Sequence, residues 1–436
     1  MIRQAEHKPR RAIVAAVQKP SVTDAEFDAS LAELRQLAKT LGFKVIETVT
    51  QKRASFDSAG YFGVGKRKEL SEMVQAGADI ILVDHEISPS QAHNLEKEAG
   101  CEVMDRTMVI LEIFHRHARS RAARAQVEIA RLGYMAPRMR EAAKLAGPKD
   151  RARSGTGGRS GGESHGELDR RKIRDRIAEL QKELDTMKRE RQTQRARRQE
   201  RQGLTRVALV GYTNAGKSTL MRALTASEAL VADKLFATLD TTVRALQPES
   251  VPRVLVSDTV GFIKNLPHAL VVSFKSTLDE ALEASLLAHI VDASDPGFER
   301  QLTVTQEVLD EIGAEGVPRL LVFNKIDRAG EPSAQRELAT RLRARYPECL
   351  VMSARSEADV ARLREQIVAF FQQSLVEAQL FLPWAAQKAR SEIFESCQVL
   401  EERADGEGAL LRVRGEPEAV KRLLKRFGRI ESGRPV

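Results

Sequence analysis

The chain has 436 residues, 42% of them hydrophobic and 30% charged, with a formal net charge of +9. That length exceeds one ordinary hydrophobic core, and the composition is that of a globular protein with long exposed helices. No apolar run approaches the ~18 residues of a membrane span. The first residues, Met1 to His7, lack the apolar stretch of a secretory signal. Cys101, Cys349 and Cys397 lie far apart without metal-ligand spacing, which fits a reducing, cytoplasmic setting and no disulfide framework.

Residues 10 to about 118 alternate between strand-like and helix-like patterns. Strands are expected at 12–17, 44–49, 79–83 and 102–104. Between the first two, Phe27, Leu31, Leu34, Ala38 and Leu41 mark one face of an amphipathic helix. The alternation predicts a parallel α/β domain. Within it, residues 60–66 spell GxxxxGK, but Arg67 follows in place of Ser or Thr, and no apolar strand precedes it. A phosphate loop needs both, so this segment reads as a turn before a helix.

From about Thr107 the chain becomes long, charged helix, broken by a glycine-dense stretch at 155–162. Beyond it, Ile173, Ile177, Leu180, Leu184 and Met187 follow a heptad rhythm. A helix on each side of one loop predicts a helical hairpin, with Val127 and Leu132 as candidates for the facing stripe. Between Arg116 and Arg159 there are twelve Lys/Arg against three Asp/Glu, and between Lys188 and Arg201 seven against two. Such clustering predicts a polyanion contact, most often RNA.

The most informative segment runs from Gly211 to Ser218, GYTNAGKS, after the apolar run Val207 to Val210. A strand, a glycine loop and a helix start form a P-loop, whose backbone N–H groups curl around phosphates. Gly211, Tyr212, Thr213, Asn214, Ala215 and Gly216 would supply the cradle, Lys217 would reach the β- and γ-phosphates, and the Ser218 hydroxyl would ligate Mg²⁺. Three further signatures follow in order, each at the end of an apolar strand. Asp258, Thr259, Val260 and Gly261 form the second: Asp258 would hold Mg²⁺ through water, and the Gly261 N–H would sense the γ-phosphate. Asn324, Lys325, Ile326 and Asp327 form the third. The Asp327 carboxylate matches the N1–H and exocyclic amine of guanine and rejects adenine. Ser353, Ala354 and Arg355 form the fourth, offering backbone to the guanine carbonyl. Strand ends that carry a site in succession define a doubly wound parallel sheet. Switch I falls between residues 225 and 245, where Thr238, Thr241 and Thr242 are the candidate hydroxyls for Mg²⁺. Phe262 occupies the place where many guanine-nucleotide enzymes put a water-orienting glutamine, which predicts a low intrinsic rate. Asn214 is a candidate ligand for a monovalent cation such as K⁺.

With these motifs in hand, the chain resembles the HflX family of translational GTPases. The resemblance rests on Gly63-Val64-Gly65-Lys66, Ser88-Pro89-Ser90-Gln91, Asp105-Arg106-Thr107, Gln126-Val127-Glu128 and Asp169-Arg170-Arg171. In the nucleotide domain it rests on Phe236-Ala237-Thr238-Leu239-Asp240, on Asp258 to Phe262, on Leu266-Pro267-His268 and on Phe274 to Leu278. It implies a cytoplasmic, monomeric GTPase, with peripheral membrane or ribosome association. It also implies GTP/GDP and the large (50S) ribosomal subunit with its rRNA as partners, and action on stalled or idle ribosomes, including splitting under stress. It further implies that Thr238 is the switch I Mg²⁺ ligand beside Ser218, that Phe236, Ala237, Thr238, Leu239 and Asp240 contact GTP, and that Lys217, Thr238 and Gly261 carry catalysis. Two departures stand out. The glycine-dense stretch lacks the family's Gly-Pro-Gly-Glu core, and Thr241 replaces the proline common after Asp240.

Four parts are therefore expected: an N-terminal α/β domain over 1–118, a basic helical hairpin over 119–203, a GTPase domain over 204–373 and a small α+β domain over 374–436. The last shows strand material near Val399 and at 410–413, with a helix from Glu416. Two alternatives compete with a ribosome-coupled GTP hydrolase. One is a GTP-gated RNA-binding scaffold with negligible turnover, for which Phe262 speaks. The other is an Obg-like ribosome assembly factor, against which the lack of a glycine-rich Obg-type N-terminal domain counts.

Overall fold

The computed structural model describes residues 9–145, 165–202, 205–226, 235–236, 241–264, 280–373, 375–415 and 417–427. The glycine-dense stretch at 155–162 and Ala237, Thr238, Leu239 and Asp240 of switch I lie outside the described residues. So do Leu266 to His268 and Phe274 to Leu278. The chain divides into two compact units. The first comprises 1–187, 232–240 and 263–276; the second comprises 188–231, 241–262 and 277–436.

The first unit opens with β1 (Arg11–Gln18), α1 (Asp24–Thr40), β2 (Lys44–Lys52), α2 (Val64–Gln75), β3 (Ile80–Val83), α3 (Pro89–Ala99), β4 (Glu102–Asp105) and α4 (Arg106–His117). The four strands pair in the order β2-β1-β3-β4, all parallel. β1 and β3 are apolar and buried throughout their centres, as a sheet covered on both faces requires. Helix starts are set locally. Thr23 and Glu26 close a capping box on α1, Ser88 and Gln91 do so on α3 beside Pro89, and the Asp105 carboxylate caps α4. Arg106 is buried with its guanidinium paired to Asp84 (2.9 Å) and Glu33. Residues 60–63 turn ahead of α2, whose first turn takes in Val64 to Lys66, with Tyr61 and Phe62 fully buried in the core.

α5 (Arg121–Leu145) and α6 (His165–Gln202) are the two long charged helices. Val127 is fully buried, and α5 packs against α3 and α4 of the same unit. Its apolar face therefore serves the N-terminal α/β layer, a role beyond the hairpin stripe. On α6 the heptad residue Leu180 is buried, Ile173, Ile177, Leu184 and Met187 are half-buried, and Glu183 pairs with Arg121 of α5.

The second unit holds β5 (Thr205–Gly211), α7 (Lys217–Thr225), β6 (Thr242–Ala245), β7 (Val254–Asp258), β8 (Leu286–Asp292), α8 (Phe298–Ile312), β9 (Arg319–Asn324), α9 (Pro332–Arg345), β10 (Leu350–Val351) and α10 (Glu357–Gln373). Strand order is β10-β9-β8-β5-β7-β6, parallel except for the edge strand β6. The doubly wound sheet thus appears as expected, with one antiparallel strand that the sequence patterns did not reveal. A core of Val207, Leu209, Leu220, Val256, Ile290, Leu363 and Ile367 fills one face.

The chain closes with β11 (Val376–Pro383), α11 (Arg390–Ser396), β12 (Cys397–Asp405), β13 (Gly408–Gly415) and α12 (Pro417–Phe427). The strands form an antiparallel sheet in the order β11-β13-β12. β11 is the addition to the expected tail; its alternating Leu380 and Leu382 are buried against Leu411 and Val413. Among the described residues no helix is long and apolar enough to cross a membrane.

Candidate nucleotide site

All four nucleotide signatures come together at the carboxyl edge of the second unit's sheet. β5 ends at Gly211 and α7 begins at Lys217. The loop between them needs left-handed backbone at Asn214 (φ +59°) and Gly216 (φ +99°). A Cβ on Gly216 would stand 2.2 Å from Asn324 Nδ2, so only glycine fits there. The P-loop is zipped to the Asp258–Phe262 segment by two backbone bonds: Thr213 N–H donates to Phe262 O (2.7 Å), and Phe262 N–H donates to Gly211 O (3.1 Å). Thr259 adds a hydroxyl bond to Leu209 O (2.7 Å). Phe262 is buried at the end of this zipper. In place of a water-orienting group, its ring packs.

Lys217 is buried, and its Nζ donates to Gly211 O (3.1 Å) and Tyr212 O (2.8 Å). Burial pulls its pKa down to about 8, against the opposing pull of the Asp258 carboxylate. Ser218 Oγ donates to Asp258 Oδ2 at 2.7 Å. Hydroxyl and carboxylate oxygens adjoining at the start of a helix are the hard donors that Mg²⁺ takes alongside phosphate and water. No group of three or more His, Cys, Asp or Glu that could hold a metal occurs among the described residues. One hydroxyl and one carboxylate suit an ion that arrives with phosphates.

The base-reading end is equally connected. Asn324 Nδ2 donates to Ala215 O (2.9 Å), and Asn324 Oδ1 accepts from Ala354 N–H (2.9 Å), so one side chain ties the P-loop to the fourth signature. Lys325, left-handed at φ +62°, sends its Nζ to Asn214 O (2.6 Å) and Asp292 Oδ2 (2.8 Å). Asp327 Oδ1 accepts from Ser353 Oγ (2.7 Å), with the Arg355 guanidinium 3.9 Å from Oδ2. Ser353 N–H is held by Asp359 (2.8 Å). Ile326 begins the short turn that carries Asp327, and Val260 is buried in the strand-to-loop corner.

Switch I is only partly described. Thr241 precedes β6 and Thr242 lies in it, opposite Asp258. Phe236 belongs to the first unit. Its ring meets Phe114 edge-on at 4.6 Å, its carbonyl accepts from His117 Nδ1–H (2.9 Å), and the neighbouring Leu235 N–H donates to Thr40 Oγ1 (3.3 Å). Sequence reasoning missed Asp292, Ser294 and Asp359. The signal for Asp292 was there: a carboxylate closing the apolar strand LLAHIVD, in the same position as Asp258 and Asn324 on their own strands.

A strand-loop-helix phosphate cradle, a guanine-matched carboxylate and a doubly wound sheet define a P-loop GTPase. Three family models match in sequence: a GTP-binding GTPase N-terminal region over 28–115, a GTP-binding GTPase middle region over 117–198 and a 50S ribosome-binding GTPase over 206–325. GTPase HflX of Gluconacetobacter diazotrophicus is 50% identical, across 94% of this chain and 96% of that protein. GTPase HflX of Caldanaerobacter subterraneus subsp. tengcongensis is 39% identical, across 96% and 94%. A solved GTP-binding protein of Sulfolobus solfataricus in complex with GDP is 24% identical, across 84% of this chain and 99% of that one, with a TM-score of 0.44. This chain belongs to the HflX family of GTPases and is a GTP-hydrolysing enzyme.

Proposed function

We propose that this GTPase binds the large ribosomal subunit and its rRNA in a nucleotide-dependent way and acts on stalled or idle ribosomes, splitting them under stress. The observation that carries the reading is the charge of two stretches ahead of the P-loop, nineteen Lys/Arg against five Asp/Glu over 116–159 and 188–201, joined in one chain to the guanine-nucleotide signatures. Stretches so unbalanced gain affinity by releasing counterions from a phosphate backbone. The match to a 50S ribosome-binding GTPase model supports the same partner. In this reading the protein is cytoplasmic and monomeric, with peripheral association at membranes or ribosomes. Its working parts are 1–118, 119–203, 204–373 and 374–436.

The pocket's residues take these roles. Backbone from Gly211 to Gly216 cradles the phosphates, and Lys217 moves its ammonium from the P-loop carbonyls to the β- and γ-oxygens. Ser218 and Thr238 would hold Mg²⁺, with Asp258 acting through water, and the ion when bound would supply positive charge against the phosphates. Gly261 N–H reads the γ-phosphate, flanked by Thr259 and Val260. Phe236, Ala237, Leu239 and Asp240 are taken as GTP contacts on the family resemblance alone. Asp327, held by Ser353 and Arg355, reads guanine, while Lys325 and Ile326 flank the base and Ala354 completes the loop. Because the buried Phe262 cannot orient water, turnover is low until a partner or cation supplies the missing help. Asn214, exposed in the P-loop, is the candidate ligand for K⁺. An Obg-like assembly role gains no specific support, and membership of a GTP-hydrolysing family sets the non-hydrolysing scaffold aside.

Cosedimentation with ribosomal subunits under a GTP analogue, GDP and no nucleotide tests the proposal. Binding to large subunits should be strongest with the GTP analogue. Indifference to nucleotide would contradict the coupling.

A further inference from the structure

Asp292 closes β8, the strand beside the P-loop strand, and stands in register with Asn324 on β9. One of its oxygens, Oδ2, accepts from Lys325 Nζ at 2.8 Å. The other, Oδ1, accepts from Ser294 Oγ (2.6 Å) and Ser294 N–H (3.0 Å), which fixes the carboxylate's orientation. Ala293 N–H donates to Asn324 O (2.8 Å), fastening the turn after β8 to the end of β9. Both partners of the ion pair are largely buried, at 13% and 16% side-chain exposure. The Lys325 stem passes over the P-loop: its Cε lies 3.9 Å from where a Gly216 Cβ would be, and its Nζ also meets Asn214 O.

We infer that Asp292 is a positioning residue for nucleotide binding, holding Lys325 so that its stem forms one wall of the guanine slot and its ammonium locks the P-loop to the base-reading loop. The inference rests on reading this pocket as a guanine site. A lysine on a flexible four-carbon stem loses considerable rotamer freedom when fixed. A carboxylate already oriented by Ser294 removes that cost before the nucleotide arrives, which is preorganisation. The Lys325 ammonium is engaged by Asn214 O and Asp292 Oδ2, so the pair's effect should fall on nucleotide retention, for GTP and GDP alike, more than on the chemical step.

The test uses the full chain and fluorescent GTP and GDP. Asp292→Asn keeps an acceptor for Ser294 and removes the charge. Its Kd for both nucleotides should rise about tenfold, equivalent to about 1.4 kcal/mol, through faster dissociation. KM should rise in step while kcat falls less than twofold. With Lys325→Ala already present, Asp292→Asn should add little, because the two act as one unit. Ser294→Ala, which leaves the ion pair and the backbone N–H bond but removes the hydroxyl bond to the carboxylate, should raise Kd about threefold and serves should Asp292→Asn fold poorly. Unchanged Kd in these variants, or penalties that simply add in the double variant, would overturn the inference. A drop in kcat equal to the rise in Kd would also overturn it, since that marks general damage. Failure of the guanine reading is a separate result: Asp327→Asn would then leave nucleotide preference as it was.

Discussion

Lys217 should make the affinity for guanine nucleotide depend on pH above neutrality. In the free protein its ammonium is buried, and its pKa is pulled down to about 8. Phosphate oxygens at Lys217 would restore the charged form and lift the pKa beyond its ordinary 10.5. Binding therefore takes up a proton from solution whenever the free lysine has lost one. About three-quarters of the free protein carries that proton at pH 7.5, and about one-tenth at pH 9. The Kd for GDP or GTP should accordingly weaken about eightfold between those values, or about 1.2 kcal/mol. Titration calorimetry in buffers of different ionisation enthalpy should show proton uptake rising from about 0.25 to about 0.9 per nucleotide bound. Lys217→Arg, whose guanidinium stays charged, should bind with no such pH slope. The free protein supplies an independent check. Between pH 8 and 10.5 the unfolded chain holds a proton on Lys217 that the native chain does not, so native stability should rise with pH across that window. Flat affinity and constant proton uptake from pH 7.5 to 9 would refute the argument and show that Lys217 stays charged in its buried place.

Four further outcomes are expected. Asp327→Asn should shift preference from guanine to xanthine nucleotides, measured by competition binding; retained preference for GTP would remove Asp327 from base reading. His289, buried in β8, has its pKa lowered to about 4, first by burial and then by Arg319 and Lys217. As pH falls from 6.5 through 4 the unfolded chain takes a proton that the native chain refuses, so urea stability should drop by about 2–3 kcal/mol between pH 7.5 and 4.5; His289→Leu should abolish most of that drop. Phe236→Ala removes a buried ring packed on Phe114, a loss of about 3 kcal/mol or more. Hydrogen exchange at the Leu235 amide should quicken about a hundredfold, and unchanged protection would mean the ring does not hold that segment. Neutralising Arg195, Arg197 and Arg198 together should weaken ribosome binding and flatten its salt dependence; an unaltered slope would exclude these side chains from the phosphate contact.

The elements of the candidate nucleotide site were legible in sequence because each of its signatures is local. A strand end, a glycine that must adopt left-handed backbone and a lysine or aspartate at fixed spacing lie within eight residues of one another. Local sterics and hydrogen bonding then leave little freedom. The same holds for the strands of the first unit, where runs such as Ile80–Val83 have few alternatives, and for the helix starts set by Thr23 and Ser88. The parallel order of the second sheet followed from the order of the motifs.

What only the tertiary structure decided is which distant residues meet. β6 and β11 are short on pattern, and each is a strand because a partner, β7 or β13, satisfies its backbone. Val127 suits a hairpin seam by its spacing, and only packing shows that α5 also meets α3 and α4. Asp292 lies 33 residues from Lys325, and no periodicity links them; they meet because β8 and β9 pair in one register. Phe236 belongs by sequence to the nucleotide domain, yet its ring is buried among side chains of the first unit. Hydrophobic burial is indifferent to sequence distance, so the address of such a residue is set by the surface that accepts it.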